Sequence, residues 1–248
     1  MSGLGESKSF KIVAMVPARV GSKRVRSKNL RLLDGKPLIS YVLSSIKKLS
    51  IFDEIYLNSD GTVFEEIAHD HGVSFYHRED VLADDRATND AFAYDFLKSV
   101  KCDYLIQILP TSPFLRPEEI GRFASEITTK GLDGLISVMA NKIACIYQGD
   151  PVNFSREKVN PPSQEMTPVL AYATALMGWR RETFMKNYES LGVAYHCPRG
   201  SVDYFELAGL AAIDIDNEED FLLADAIMRA QKLVSEETPQ YYQSKGAG

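Results

Sequence analysis

Residues Tyr104–Leu109 read YLIQIL and are followed at once by Pro110. An apolar run of strand length, closed by a residue that has no N–H to continue a ladder, reads as a buried strand. Outward from it the same unit repeats. Lys11–Val16 (KIVAMV), Glu54–Leu57, Ser74–Tyr76 and Gly134–Met139 read as further strands. Between them lie helical stretches. Leu38, Ile39, Val42, Leu43, Ile46 and Leu49 fall at helical spacing, Val63–His71 is closed by Gly72, and Asp90–Val100 is entered through the capping types Thr88 and Asn89. Pro117 opens a helix that runs to Lys130. Strands alternating with helices predict an α/β fold, a doubly wound and mostly parallel sheet with helices on both faces.

Right-handed crossovers put the loops after the strands on one edge, where such sheets bind ligands. The loops to read are therefore Pro17–Asn29, Asn58–Thr62, Tyr76–Thr88 and Pro110–Arg116. The rhythm lapses between Ala140 and Pro168, a stretch with four prolines. We read residues 140–170 as an excursion within one domain spanning 1–248. A strand over Tyr172–Trp179, short strands near Tyr195 and Ile213, and a helix over Glu218–Val234 complete the expected order, with a polar tail after Ser235.

Composition narrows the function. The 248 residues are 45% hydrophobic and 25% charged, enough for a real core, and 28 Lys and Arg against 34 Asp and Glu give a formal net charge of −6. That balance argues against a protein that wraps nucleic acid. No apolar stretch approaches the roughly 20 residues that span a bilayer. The three cysteines, Cys102, Cys145 and Cys197, are widely spaced and form no metal or disulfide pattern. With no secretory signal at Met1–Ser9, the expectation is a cytoplasmic protein.

Three segments could carry chemistry. Arg19–Asn29 (RVGSKRVRSKN) holds Arg19, Lys23, Arg24, Arg26 and Lys28 directly after the first strand. Gly21 and Ser22 add backbone N–H groups that can approach an anion, so the loop reads as a phosphate cradle or, more blandly, as a solvated basic loop. It is neither a Walker loop nor a GxGxxG fingerprint. Asp214-Ile215-Asp216 places two carboxylates on one face if the segment is a strand, which calls for a cation between them. Mg²⁺ is the natural one beside phosphates, while the alternative has Asp216 capping the last helix. Pro110–Arg116 (PTSPFLR) is a stiff loop whose Thr111, Ser112 and Arg116 could bind a polyhydroxylated or carboxylated ligand. His69, His71, His77 and His196 form no triad or ligand spacing.

Together these residues resemble the acylneuraminate cytidylyltransferases, the CMP-sialic acid synthetase family. The likeness rests on Ala18-Arg19, Ser22-Lys23, Lys28-Asn29, Ser59-Asp60-Gly61, Arg78 with Leu82-Ala83, Pro110–Pro113 and Ile213–Asp216, in order along the chain. It implies a nucleotidyltransferase fold akin to GT-A, CTP and a 2-keto-3-deoxy sugar acid as substrates, pyrophosphate as product, Mg²⁺ as cofactor, and a homodimer built through the excursion. The resemblance assigns Arg19, Ser22, Lys23, Lys28, Asn29, Arg78 and the backbone near Ala87 to the nucleotide, with Lys28, Arg19 and Asp216 catalytic and Asp214 and Asp216 on the metal. The chain departs from the family's pattern at Leu109, where many relatives have Gln, at Ala171–Thr174 and at Arg24, where glycine is frequent. Two other classes fit parts of the pattern: a GT-A-like glycosyltransferase with Asp214-Ile215-Asp216 as its DxD, and an inactive nucleotide-binding relative.

Overall fold

The structure, a computed structural model, describes residues 10–22 and 24–233. In chain order its elements are β1 (Ile12–Pro17), the short pair β2 (Leu32–Leu33) and β3 (Lys36–Pro37), α1 (Leu38–Ile46), β4 (Glu54–Ser59), α2 (Val63–His71), β5 (Ser74–His77), α3 (Asn89–Ser99) and β6 (Tyr104–Ile108). They continue with α4 (Pro117–Thr129), β7 (Gly134–Asn141), the short β8 (Ile146–Tyr147) and β9 (Asp150–Pro151), β10 (Val169–Arg180), α5 (Arg181–Leu191), β11 (Val202–Glu206) and α6 (Glu218–Leu233). The helix signals act as read. Thr88 Oγ1 accepts the Ala91 N–H to open α3, and Gly72 closes α2 with φ 61°.

Seven strands form one sheet in the order β11-β7-β10-β6-β1-β4-β5. Pairing is parallel throughout except for β10, which runs antiparallel to both β6 and β7. Alternation along β1 divides the core. Ile12, Ala14 and Val16 face α1, α2 and α4, whereas Val13 and Met15 face α3 and α5. The chain runs from β1 to β4 and β5 on one side, then returns to lay β6 on the other. Such a reversal opens a crevice at the strand C-termini, here between the loops after β1 and β6.

Three expectations are corrected. Arg181–Leu191 is a helix that the sequence reading left out. The residues around Tyr195 are turns, and the strand there is β11, at Val202–Glu206. Ile213 is not in a strand either: Gly209–Ala212 form a single 3₁₀ turn, and an unpaired extended segment leads from it into α6. The segment between β7 and β10 carries only the β8–β9 ladder and one 3₁₀ turn at Ser163–Glu165.

A third, smaller core lies under the crevice. Val25 of the basic loop, Leu33, Leu38 and Phe114 pack with Ile215, Phe221 and Ala224. This cluster docks α6 against the first loop. The large sheet core sets overall stability: replacing fully buried Phe123 with Ala should cost about 3–5 kcal/mol. Replacing Leu222, which is 57% exposed on α6, should change stability by less than about 0.5 kcal/mol. Urea denaturation of the two variants checks the contrast.

Candidate active site

The loop after β1 turns tightly because other loops hold it. The Val20 N–H donates to Asp60 Oδ1 at 3.2 Å, and Ala18 N–H to the Asn58 carbonyl at 2.9 Å. A Cβ on Gly61 would sit 2.3 Å from Val20 Cγ2, so a side chain there would force the Val20 side chain to move. The loop then winds into a 3₁₀ turn at Lys28–Leu30, entered through Ser27 with φ 48°. Its side chains wall a cavity of about 200 Å³ in the crevice, together with Arg78, Asn89 and the loop after β6.

Arg19, Ser22, Lys28 and Asn29 all line this cavity. Arg19 donates to Asp85 Oδ1 at 3.1 Å, which ties the basic loop to the segment before α3. Asn29 is 6% exposed and its Oδ1 has no hydrogen-bond partner among the described residues. Lys23 lies outside the described residues. Arg78 is 3% exposed, donates through Nη2 to the Ala18 carbonyl and lies 4.8 Å from the Phe92 ring centroid, while its Nε has no partner among the described residues. Burial pulls its guanidinium down to about 10, opposed by Asp60, so it remains a cation at neutral pH. A buried cation without a carboxylate in contact is a receptor for an acceptor-rich ligand.

The carboxylates enter from the other end of the chain. The Ile215 N–H donates to the Thr111 carbonyl at 2.9 Å, and the buried Ile215 side chain anchors the third core. Its neighbours Asp214 and Asp216 therefore lie on the opposite side of the extended segment. Lys28 Nζ joins the two ends of the site. It donates to the Ile215 carbonyl at 2.5 Å and lies 3.4 Å from Asp216 Oδ1. Capping does not need Asp216. Asn217 Oδ1 accepts the Asp220 N–H, and Asp220 Oδ2 accepts the N–H groups of Asp216 and Asn217.

Asp214 Oδ1 is buried without a partner among the described residues. Burial, helped by the nearby Asp216, holds its carboxyl above the usual range, and a Thr111 hydrogen bond opposes the shift. An orphaned buried oxygen beside a second carboxylate fits a hard divalent cation, provided a ligand's oxygens complete the set. Among the described residues, no three or more His, Cys, Asp and Glu side chains gather into a cage for a metal.

Other expected residues fall differently. Thr111 lines the cavity, and Ser112 is buried with an Oγ that has no partner among the described residues. Arg116 faces a separate groove and binds Glu119 Oε1 at 2.7 Å in the first turn of α4, where it opens the helix. The Ala87 N–H is taken by Asp84 Oδ1 at 2.8 Å. Asn89 and Phe92, which the sequence reading passed over, form that wall of the cavity. Position at the start of α3, on the ligand edge of the sheet, is the signal that could have found them.

Sheet order, crevice and cradle define an α/β nucleotidyltransferase fold. A family model described as cytidylyltransferase matches residues 13–205, well over half of the chain, and the protein belongs to that family. It is 28% identical over 243 residues to an N-acylneuraminate cytidylyltransferase of Escherichia coli, covering 88% of this chain and 52% of the relative. It is 37% identical over 124 residues to a CMP-N,N'-diacetyllegionaminic acid synthase of Legionella pneumophila, covering 48% of this chain and 53% of the relative. The chain thus spans about half the length of these curated relatives. A solved CMP:2-keto-3-deoxy-manno-octonic acid synthetase complexed with CTP shares the fold, with a TM-score of 0.69 at 19% identity over 89% of this chain and 99% of that one. No helix among the described residues is long and apolar enough to cross a membrane.

The raised Asp214 pKa sets the sign of a stability effect. A carboxyl whose folded pKa lies above its unfolded value of about 3.9 loses its stabilising contribution as pH rises through the folded pKa. Without metal, Asp214→Asn should therefore melt higher than the native protein at neutral pH, and the gap should close below about pH 4. Thermal melts across that range decide it.

Proposed function

We propose that the protein transfers CMP from CTP to a 2-keto-3-deoxy sugar acid and releases pyrophosphate. One observation carries the reading: a lysine that lines the cavity, Lys28, reaches the Ile215 carbonyl and the Asp216 carboxylate of the aspartate pair. The sugar acid's anomeric hydroxyl oxygen attacks the α-phosphorus, the bond to the bridging oxygen of the β-phosphate breaks, and the hydroxyl proton leaves to solvent. Such displacement needs alignment and charge neutralisation more than covalent help. Lys28 and Arg19 neutralise charge on the phosphates, Ser22 and Asn29 donate to their oxygens, and Arg78 with the wall near Ala87 and Asn89 holds the nucleoside. Asp214 and Asp216 would hold Mg²⁺, which supplies Lewis-acid neutralisation of the phosphate oxygens when bound.

Leu109 lines the cavity beside Pro110 and Thr111. An apolar wall there cannot bond sugar hydroxyls as Gln would, which supports a sugar acid other than N-acetylneuraminate. Arg116, paired with Glu119 and turned to another groove, offers no support for binding the sugar carboxylate. Residues 140–170 expose Ile143, Ile146, Tyr147, Val152 and Val159, an apolar surface in keeping with a homodimer built through this excursion. All three cysteines are free, and burial pushes Cys102 up to about 12 and Cys197 to about 11, as suits inert thiols in a cytoplasmic protein. A DxD glycosyltransferase is disfavoured, because this aspartate pair precedes the last helix and the basic loop would have no use there.

Incubation with CTP, Mg²⁺ and a panel of sugar acids should release pyrophosphate. Lys28→Ala and Arg19→Ala should each lower kcat by about 10²–10³ while the protein remains folded. Asp216→Asn should abolish Mg²⁺-dependent turnover. Native-like turnover in these variants removes the cradle and the metal pair from the mechanism. Across the panel, kcat/KM for N-acetylneuraminate should be reduced but measurable, since an apolar wall rejects polar ligands only modestly. Clear preference for N-acetylneuraminate refutes the assignment to Leu109.

A further inference from the structure

Arg24 is not an idle surface cation. Its Nη2 lies 3.1 Å from Asp216 Oδ1, the same oxygen that Lys28 Nζ approaches at 3.4 Å. One carboxylate oxygen thus faces two cations. The two differ in freedom. The Lys28 side chain is 13% exposed and fixed to the Ile215 carbonyl, whereas the Arg24 side chain is 71% exposed and has no other ion pair among the described residues. Arg24 also lines the cavity with Arg19, Ser22 and Lys28, so side-chain rotation alone can carry its guanidinium between the carboxylate and a phosphate in the cradle.

We propose that Arg24 is a switchable counter-ion: it neutralises Asp216 before metal binds and transfers to the nucleotide's phosphates when metal takes that carboxylate. The inference rests on the metal-dependent nucleotidyl transfer proposed above. Charge gives the direction. A divalent cation arriving alone must sit beside Lys28 and Arg24 or displace Arg24 into water, and like charges at contact distance oppose it. A triphosphate arriving with the metal brings more negative charge than the metal cancels, and pairs of its oxygens suit the planar fork of a guanidinium. Metal therefore loads with nucleotide rather than ahead of it.

Binding measurements without turnover test this. Mn²⁺ titration followed by electron paramagnetic resonance, without nucleotide, should show Arg24→Ala binding about three- to fivefold tighter than the native protein, the scale of one exposed ion pair. Arg24→Lys should bind as the native protein does, and Asp216→Asn far more weakly. Calorimetry with CTP and Mg²⁺, without sugar acid, should show Arg24→Ala binding CTP several-fold more weakly. Equal Mn²⁺ affinity in Arg24→Ala and the native protein, with Asp216→Asn still impaired, overturns the counter-ion role alone. Unchanged CTP affinity in Arg24→Ala overturns the transfer to phosphate. Native Mn²⁺ affinity in Asp216→Asn overturns both the inference and the metal assignment on which it rests.

Discussion

The site depends on one bond between the two ends of the chain, from Lys28 Nζ to the Ile215 carbonyl, 187 residues apart in sequence. The carbonyl belongs to an extended segment with no strand pairing, which is otherwise held by the Ile215 N–H on the Thr111 carbonyl and by the buried Ile215 side chain. Around the bond, Val25 and Ile215 share an apolar cluster, and Arg31 forks onto both oxygens of Glu218 at 2.5 and 2.7 Å. Arg31 also lies 3.9 Å from the Phe221 ring centroid. Packing, a fork and a short charged hydrogen bond together hold the last helix on the first loop. Each is modest alone; their agreement in one place makes a defined site.

The cavity is built at a cost to folding. Asn29 Oδ1, Arg78 Nε, Ser112 Oγ and Asp214 Oδ1 are four of the seven buried side-chain atoms without a partner among the described residues, and all four lie on segments that frame the crevice. Leaving a buried polar atom unpaired costs about 1–3 kcal/mol. Unpaired groups gathered at one sheet edge read as binding capacity held ready for a ligand. The apolar core on both faces of the sheet, with Phe123, Trp179 and Tyr104 buried in it, offsets that cost elsewhere.

Most of this was legible in the sequence wherever a local rule and the fold agree. YLIQIL is a central strand, Thr88 caps α3, and the five-cation loop lies at the ligand edge. The misses have physical causes. Helix α5 follows β10 without a turn residue between, and of its own length only Phe184 and Asn187 are buried, so it carries almost no apolar stripe. The segment around Asp214 alternates like a strand, yet the alternation comes from Ile215 alone burying into a cluster while the carboxylates turn away. The face was right and the element was wrong. Arg116 looked like a ligand donor, but its partner Glu119 is one helical turn downstream, a capping arrangement that spacing alone could have revealed. The alternative in which Asp216 caps the last helix is not what the structure shows, since Asn217 and Asp220 make the capping bonds.

The central claim is that cradle and carboxylate pair act as one site through Lys28. A double-mutant cycle of Lys28→Ala and Asp216→Asn, read in the calorimetric affinity for CTP with Mg²⁺, tests it most directly. One shared site predicts an interaction energy of at least about 1 kcal/mol between the two positions. Effects that add to within about 0.5 kcal/mol would mean that the loop and the carboxylates bind independently, and would contradict the account.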